Sequence, residues 1–395
     1  MQFLVSAGEA SGDLYASAVV NHLATLLPGS TFYGCAGPRL RDAGVRPIVD
    51  AGEISVVGLA EVVSHLPRIY GEYRKLVEYA KDNVPDAAIL TDNPDFNLRL
   101  ARQLRALGVP IFYLVAPQVW AWRQGRVTRI RELVDSLYCL FPFEEPWFRK
   151  HGVNATYIGH PLATLVRPSF RRDEFFARHR LHTDERMLVL LPGSRGGEIA
   201  RHLPLLLDTV RCLRTVPDLQ VVLATPKGFQ SNAALANFRE RMAALSIQVI
   251  ENETWDCIAH ATVALAASGT VTMEAAVLGT PMVTFYKVNP LSWYGGRHMV
   301  KAPYLSMVNL IAGRLIVPEL IQYDMSAENL ARAVTDLFNP AQAERMRRDL
   351  AVVREALISD RDPLARTAVM IADSMSGGSG DISGSERVLV QERME

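Results

Sequence analysis

Along the chain, short apolar runs without polar punctuation alternate with longer stretches whose apolar positions recur at helical spacing. The runs at 2–6, 31–36, 87–91, 110–115, 136–140 and 155–158 read as parallel strands buried on both faces, with helices between them. The alternation restarts at 187–191 and continues through 220–224, 248–250, 263–267 and 282–286. Two successive βα series of similar size predict an α/β protein of two doubly wound, Rossmann-like domains facing across a cleft. Between the series, 162–184 has no strand pattern and is rich in arginine, which predicts a linker. The expected division is a first domain over 1–165 and a second over 185–340. Helices over 341–374 are placed to pack back on the first domain, and 375–395 reads as a flexible tail.

Composition changes this picture little. At 395 residues, 49% of them hydrophobic and with a mean hydropathy of +0.08, the chain is globular and too long for one ordinary core. Lysine plus arginine equals aspartate plus glutamate at 42 each, so no global field draws in nucleic acid. The four cysteines are scattered without a CxxC pair, which argues against a zinc site and for a reducing compartment. No HExxH occurs among the nine histidines, and His179 and His182 read as solvated surface. The first residues lack the basic region and apolar core of a signal peptide, and no apolar window is long enough to span a membrane.

The candidate chemistry lies where strands end. After 263–267, Ser268-Gly269-Thr270 makes a hydroxylated turn into a helix over 271–278, an arrangement that gathers free N–H groups and the positive end of a helix dipole into an anion site. Glu274, one turn into that helix, is placed to reach ribose hydroxyls; the bland alternative is a buried βα turn with a surface glutamate. Gly193-Ser194-Arg195 follows the strand at 187–191, and a guanidinium at such a turn suits a diphosphate. In the first series, Gly8 to Asp13 forms a glycine turn that fits neither GxGxxG nor the Walker pattern. It reads as the border of a ligand crevice carrying Glu9 and Asp13, or as a turn in which Asp13 caps its own helix. Asp92 stands at the carboxyl end of the strand over 87–91, where open α/β sheets bind ligands, while Asp95 reads as the N-cap of the next helix. Trp120, Trp122 and Arg123 just past 110–115 could hold an acyl chain or a phosphate, or could simply pin a loop. The apolar segment 54–70, followed by Arg74 and Lys75, reads as a core helix or as a greasy surface meeting lipid; pattern alone favours the core.

SAGEASGD, TDNPDFN, APQVWAWR, IGHP, LLPGSRGGEI, AASGTVTMEAAVLGTPMV and VNLIAGR, in this order over about residues 4 to 320, closely resemble the lipid-A-disaccharide synthase family. The resemblance implies a GT-B fold and an inverting, metal-independent and cofactor-free glycosyl transfer. The 6-hydroxyl of 2,3-diacylglucosamine 1-phosphate would attack UDP-2,3-diacylglucosamine, releasing UDP and the β-1,6 tetraacyl lipid A disaccharide 1-phosphate. It implies catalytic roles among Asp92, Glu9 and Asp13, and substrate contacts from Gly193, Ser194, Arg195, Ser268, Gly269, Thr270, Glu274, Tyr286, Asn309, Gln118, Trp120 and Arg123. It also implies peripheral residence on the cytoplasmic face of the inner membrane, with a homodimer left open, and four acyl chains turn the balance at 54–70 toward a lipid-facing surface. One departure is Thr164, where many relatives are acidic. The rivals are another UDP-sugar enzyme on the same fold, such as a UDP-N-acetylglucosamine 2-epimerase, and a non-catalytic sugar-nucleotide or lipid-phosphate binding protein.

Overall fold

The computed structural model describes the chain except for residues 55–58, 194–195, 227, 229–236, 288–301 and 377–395. It divides into two compact units, Met1–Pro161 with Ser359–Glu395, and Leu162–Ile358.

The first unit is built on a seven-stranded sheet, all of whose pairings are parallel, in the order β3-β2-β1-β4-β5-β6-β7. These strands are β1 (Gln2–Ala7), β2 (Thr31–Ala36), β3 (Arg46–Asp50), β4 (Ala87–Thr91), β5 (Ile111–Leu114), β6 (Ser136–Cys139) and β7 (Ala155–Tyr157). The second unit carries a six-stranded parallel sheet, β10-β9-β8-β11-β12-β13. Its strands are β8 (Arg186–Leu191), β9 (Leu219–Thr225), β10 (Ile247–Glu251), β11 (Val263–Ala267), β12 (Met282–Tyr286) and β13 (Glu319–Ile321). The central strands β4 and β11 are buried along their whole length, as their unbroken apolar runs require.

Both sheets reverse direction of growth at one place. In the first unit the order turns between β1 and β4, with Ala7 beside Thr91 at their carboxyl ends. In the second it turns between β8 and β11, with Leu191 beside Ala266. A crevice opens at such a point because the two connections leave toward opposite faces, and this is where doubly wound sheets take ligands. The turn at Gly8 and the corner at Asp92 flank the first switch point; Gly193 and Ser268 flank the second.

The boundary between the units falls at Pro161 and Leu162, and the arginine-rich stretch expected as a linker is folded on the second unit. Asp256 accepts hydrogen bonds there from the amides of Ser169 and Phe170, both at 2.8 Å, and Phe175 and Phe176 are fully buried. The helix Pro340–Leu357 belongs to the second unit and the helix Pro363–Ser376 to the first, where it packs along the helix Ala10–Leu26. The outgoing and returning passages touch within the first unit. A Cβ on Gly159, whose φ is +90°, would lie 2.6 Å from Ser359 Cβ and Oγ.

Candidate active site

At the first switch point β4 ends in a sharp corner. Asp92 and Asn93 are both left-handed, with φ of 53° and 35°, and Pro94 then opens the helix Pro94–Ala106. Left-handed non-glycine residues cost of order 1–3 kcal/mol each and persist only where surroundings over-determine them. Here Asn97 Nδ2 donates to the carbonyls of Thr91 (2.8 Å) and Asp92 (3.0 Å), and Tyr113 Oη donates to the Asp92 carbonyl at 2.5 Å. The corner turns the Asp92 side chain into the glycine turn, where its carboxylate accepts from the amides of Gly8 (2.9 Å) and Glu9 (3.2 Å). Gly12 shows why that turn is glycine-rich: a Cβ there would lie 1.7 Å from Asp92 Oδ2, and one on Gly8 would lie 2.8 Å from Asn93 Nδ2. The Gly-x-x-x-Gly spacing thus makes a cradle for a carboxyl group. Burial in it pushes the Asp92 carboxyl up to about 8, against the lowering by the Gly8 amide and with the Glu9 charge adding to the rise.

The neighbouring carboxylates differ in environment. Glu9 is exposed and stands at the N-cap of the helix Ala10–Leu26. Asp13 is buried, and it caps another helix rather than its own. It accepts from Gly37 N and Arg39 N at 2.9 Å and from Leu40 N at 3.3 Å, at the start of the helix Pro38–Asp42. Asp95 is likewise not the cap expected. Asn93 occupies the N-cap position, and Asp95 in the first helical turn pairs with Arg126 and, at 3.6 Å, with Arg123.

In the segment after β5, Trp120 has the contacts of a residue that pins a loop, while Trp122 and Arg123 lie at the surface. Trp120 is buried, with its indole N–H donating to Glu144 Oε1 at 3.1 Å and its ring set edge-on to Phe143. Glu144 also accepts from Phe141 N at 3.2 Å, and burial pushes its carboxyl up to about 8. Trp122 and Arg123 are exposed, the guanidinium lying over the indole at 4.4 Å, and Gln118 is exposed beside them.

The second switch point opens into a pocket of about 670 Å³. Its walls include Gly193 from the turn after β8, Ser268, Gly269, Thr270 and Glu274 from the turn and helix after β11, and Tyr286 at the end of β12. Gly269 at the N-cap of the helix Thr270–Leu278 has no side chain to cap it, so the positive end of the helix dipole faces the pocket, while the Thr272 amide turns back to Gly269 O at 3.1 Å. Gly193 is left-handed at φ +114°, and a Cβ on it would meet Glu198 Oε2 at 2.7 Å. Burial raises the Glu274 carboxyl above the usual carboxylate range, while a hydrogen bond from Trp255, another pocket residue, lowers it. Ser194 and Arg195 lie outside the described residues. Asn309 is fully buried with its amide committed inside its own unit: it donates to Val317 O and Glu319 Oε1 and accepts from Ile316 N and Val317 N.

Residues 3–368 match the family model described as lipid-A-disaccharide synthetase. Lipid-A-disaccharide synthase of Solibacter usitatus is 54% identical over 377 residues, covering 95% of this chain and 98% of that protein. That of Geobacter sulfurreducens is 41% identical over 360 residues, covering 90% and 93%. The chain belongs to the lipid-A-disaccharide synthase family. It is a glycosyltransferase that makes the lipid A disaccharide. Among solved structures, a UDP-GlcNAc 2-epimerase from Neisseria meningitidis bound to UDP-GlcNAc aligns with a TM-score of 0.61 at 13% identity, covering 95% of this chain and 100% of that one. The calicheamicin glycosyltransferase CalG4 aligns at 0.56 and 16%, covering 95% and 98%. These likenesses show the GT-B fold, and the epimerase reading has no support beyond it.

Within this lipid-A-disaccharide synthase, the sequence pattern passed over several residues that shape the two sites. Asn97 and Tyr113 look like core positions of an amphipathic helix and a buried strand. The Tyr113 hydroxyl matters only because β4 and β5 are neighbours, which no local pattern shows, while Asn97 reaches back five and six residues to the end of β4. Trp255 was hidden for the same reason: the helix Thr254–His260 after β10 reaches the pocket through the fold alone. His179, read as solvated, is half-buried and sits 2.7 Å from Glu253 Oε2.

Proposed function

We propose that the transfer is an inverting displacement in which the 6-hydroxyl of 2,3-diacylglucosamine 1-phosphate attacks the anomeric carbon of UDP-2,3-diacylglucosamine. Protein groups answer the charge that develops on the departing UDP. The Ser268 hydroxyl, the amides at Gly269 and Thr270 and the Arg195 guanidinium take the diphosphate, with no metal ion required. Glu274 takes the ribose, with Gly193, Ser194 and Tyr286 shaping the same pocket. Gln118, Trp120 and Arg123 serve the acceptor side, Trp120 through the loop it anchors rather than by contact. Asn309 contributes by fixing the start of its helix.

Asp92 is the base in this reading. The observation that carries it is a carboxyl at the β1/β4 switch point, cradled by Gly8 and Glu9 amides and raised to about 8 by burial. A base whose pKa lies near the working pH combines a useful ionised fraction with real proton affinity. Glu9 is the exposed carboxylate beside it, and Asp13 acts through its helix cap. Purified protein mixed with both substrates should form disaccharide. Asp92→Asn should abolish that turnover while UDP affinity, read by calorimetry, stays at the parent value. Turnover within a few-fold of the parent would return the role to Glu9. Arg195→Ala should weaken UDP by about 1.5–3 kcal/mol, the range for a charge-assisted contact.

The acyl chains are assigned to the segment 54–70, on the cytoplasmic face of the inner membrane. Residues 55–58 lie outside the described residues. Leu66 and Tyr70 are exposed, and Arg68, Arg74 and Lys75 lie on the same helix, Leu59–Asp82.

A further inference from the structure

We propose that Asn97, with Tyr113, is a positioning residue for the reaction: the two hold the Asp92 peptide in its left-handed corner and so aim the carboxyl into the glycine cradle. The inference rests on the reading of Asp92 as the base. Its ground is the arrangement of buried polar atoms beneath that corner. Asn97 is fully buried, and each side of its amide is engaged. Its Oδ1 accepts from Ser6 Oγ at 2.7 Å, and its Nδ2 donates to Thr91 O at 2.8 Å and Asp92 O at 3.0 Å. Tyr113, also fully buried, donates to the same Asp92 carbonyl at 2.5 Å. A carbonyl that accepts two donors from two different elements has little freedom to rotate. With it fixed, φ of 53° at Asp92 and 35° at Asn93 is the conformation the chain must keep.

The alternative conformation is easily described. An ordinary extended exit from β4 would carry the Asp92 side chain away from Gly8 and Glu9, because the side chain of a strand residue alternates faces with each peptide rotation. The two carbonyls fix which way the Asn97 amide points: they can only accept, so Nδ2 faces them, and the Ser6 hydroxyl donates to Oδ1 on the other side. The hydrogen bonds of Asn97 and Tyr113 go to the Asp92 backbone, through which they set its geometry, and Tyr113 also lies in the field of the Asp92 carboxyl.

The experiment compares Asn97→Ser, Tyr113→Phe and Asp92→Asn in the full chain, assayed with UDP-2,3-diacylglucosamine and 2,3-diacylglucosamine 1-phosphate. The readouts are kcat, KM for each substrate, the pH dependence of kcat/KM and UDP affinity. Tyr113→Phe removes one hydroxyl from the clasp and should lower kcat about tenfold, with UDP affinity and KM for the donor near the parent values. Asn97→Ser should lower kcat further, and both should displace the pH limb assigned to Asp92. A residue that only stabilised the core would lower the thermal midpoint and leave that limb in place. If Asp92→Asn collapses turnover while Asn97→Ser and Tyr113→Phe keep the parent's kcat and pH limb, the positioning role is overturned and the base stands. If Asp92→Asn keeps turnover, the base reading falls and takes this proposal with it. If Asn97→Ser does not fold, Tyr113→Phe decides alone.

Discussion

A single carboxyl organises the residues of the first switch point. Its raised pKa fixes the sign of two measurements. Below about 8 the Asp92 carboxyl of the folded chain holds a proton, so kcat/KM, which reports the free enzyme, should rise with pH toward a limb near that value. In the unfolded chain the same group ionises at the ordinary carboxylate value near 4. Between these values the folded state holds a proton the unfolded state has shed, so this residue contributes a stability that declines as pH rises through the window. The difference in denaturation midpoint between Asp92→Asn and the parent should therefore shift in favour of the variant from pH 5 to pH 8. A pH-independent difference would mean the carboxyl is ionised in the fold. Gly12→Ala tests the cradle directly, since its Cβ would lie 1.7 Å from Asp92 Oδ2 and the two cannot coexist. Turnover should fall as far as in Asp92→Asn. Asp92 itself was legible from its position after a buried strand, but the function of Gly12 was not, because the atom it avoids comes from a strand some eighty residues away.

Elements explain why carboxylates of similar sequence context differ in role. Asp13 follows a glycine turn as Asp92 follows a strand, yet its three amide partners are Gly37, at the N-cap of the helix Pro38–Asp42, and Arg39 and Leu40 in its first turn. Removing a side-chain cap costs about 0.5–2 kcal/mol, and leaving buried donors unsatisfied raises that toward about 3. Asp13→Ala should lower stability in denaturant by an amount in this range and leave UDP affinity unchanged. Loss of turnover at an unchanged midpoint would instead give Asp13 a chemical role. The sequence pattern found every strand but β3 and β13, and among those found are the outermost β7 and β10. The two it missed are also outermost, and they carry Arg46, Asp50 and Glu319. An outermost strand needs no apolar run on both faces, and where it carries charges as these do, no apolar run marks it. The cap of the helix Pro94–Ala106 was misplaced for a different reason: Asn93 and Asp95 are equal caps by residue type, and Pro94, fixing the first helical position, gives the cap to Asn93.

The whole molecule sets the terms on which this enzyme can meet lipid. No described helix is long and apolar enough to cross a membrane, and the formal net charge is zero. The lipid contact proposed for the acyl chains rests on a local surface that joins apolar side chains to cations. The helix Leu59–Asp82 offers one, with Leu66 and Tyr70 exposed at 49% and 58% and Tyr70 stacked on Tyr73. Its three named cations are each matched within the unit: Arg74 lies 3.0 Å from Glu78, Lys75 3.8 Å from Glu72, and Arg68 pairs with Glu53. Such exposed pairs contribute at most about 1 kcal/mol, so an anionic headgroup can compete for the cations at little cost. Juxtamembrane basic residues each contribute about 1 kcal/mol near an anionic surface, within a Debye length of about 8 Å at physiological salt. Sedimentation with anionic vesicles should therefore weaken as salt rises. Replacing Leu66 and Tyr70 together by Ser should weaken it further at every salt concentration, without changing UDP affinity, because the nucleotide pocket belongs to the other unit. Equal binding to uncharged vesicles would remove the cations from this account, and parent-like binding by the double variant would remove the helix.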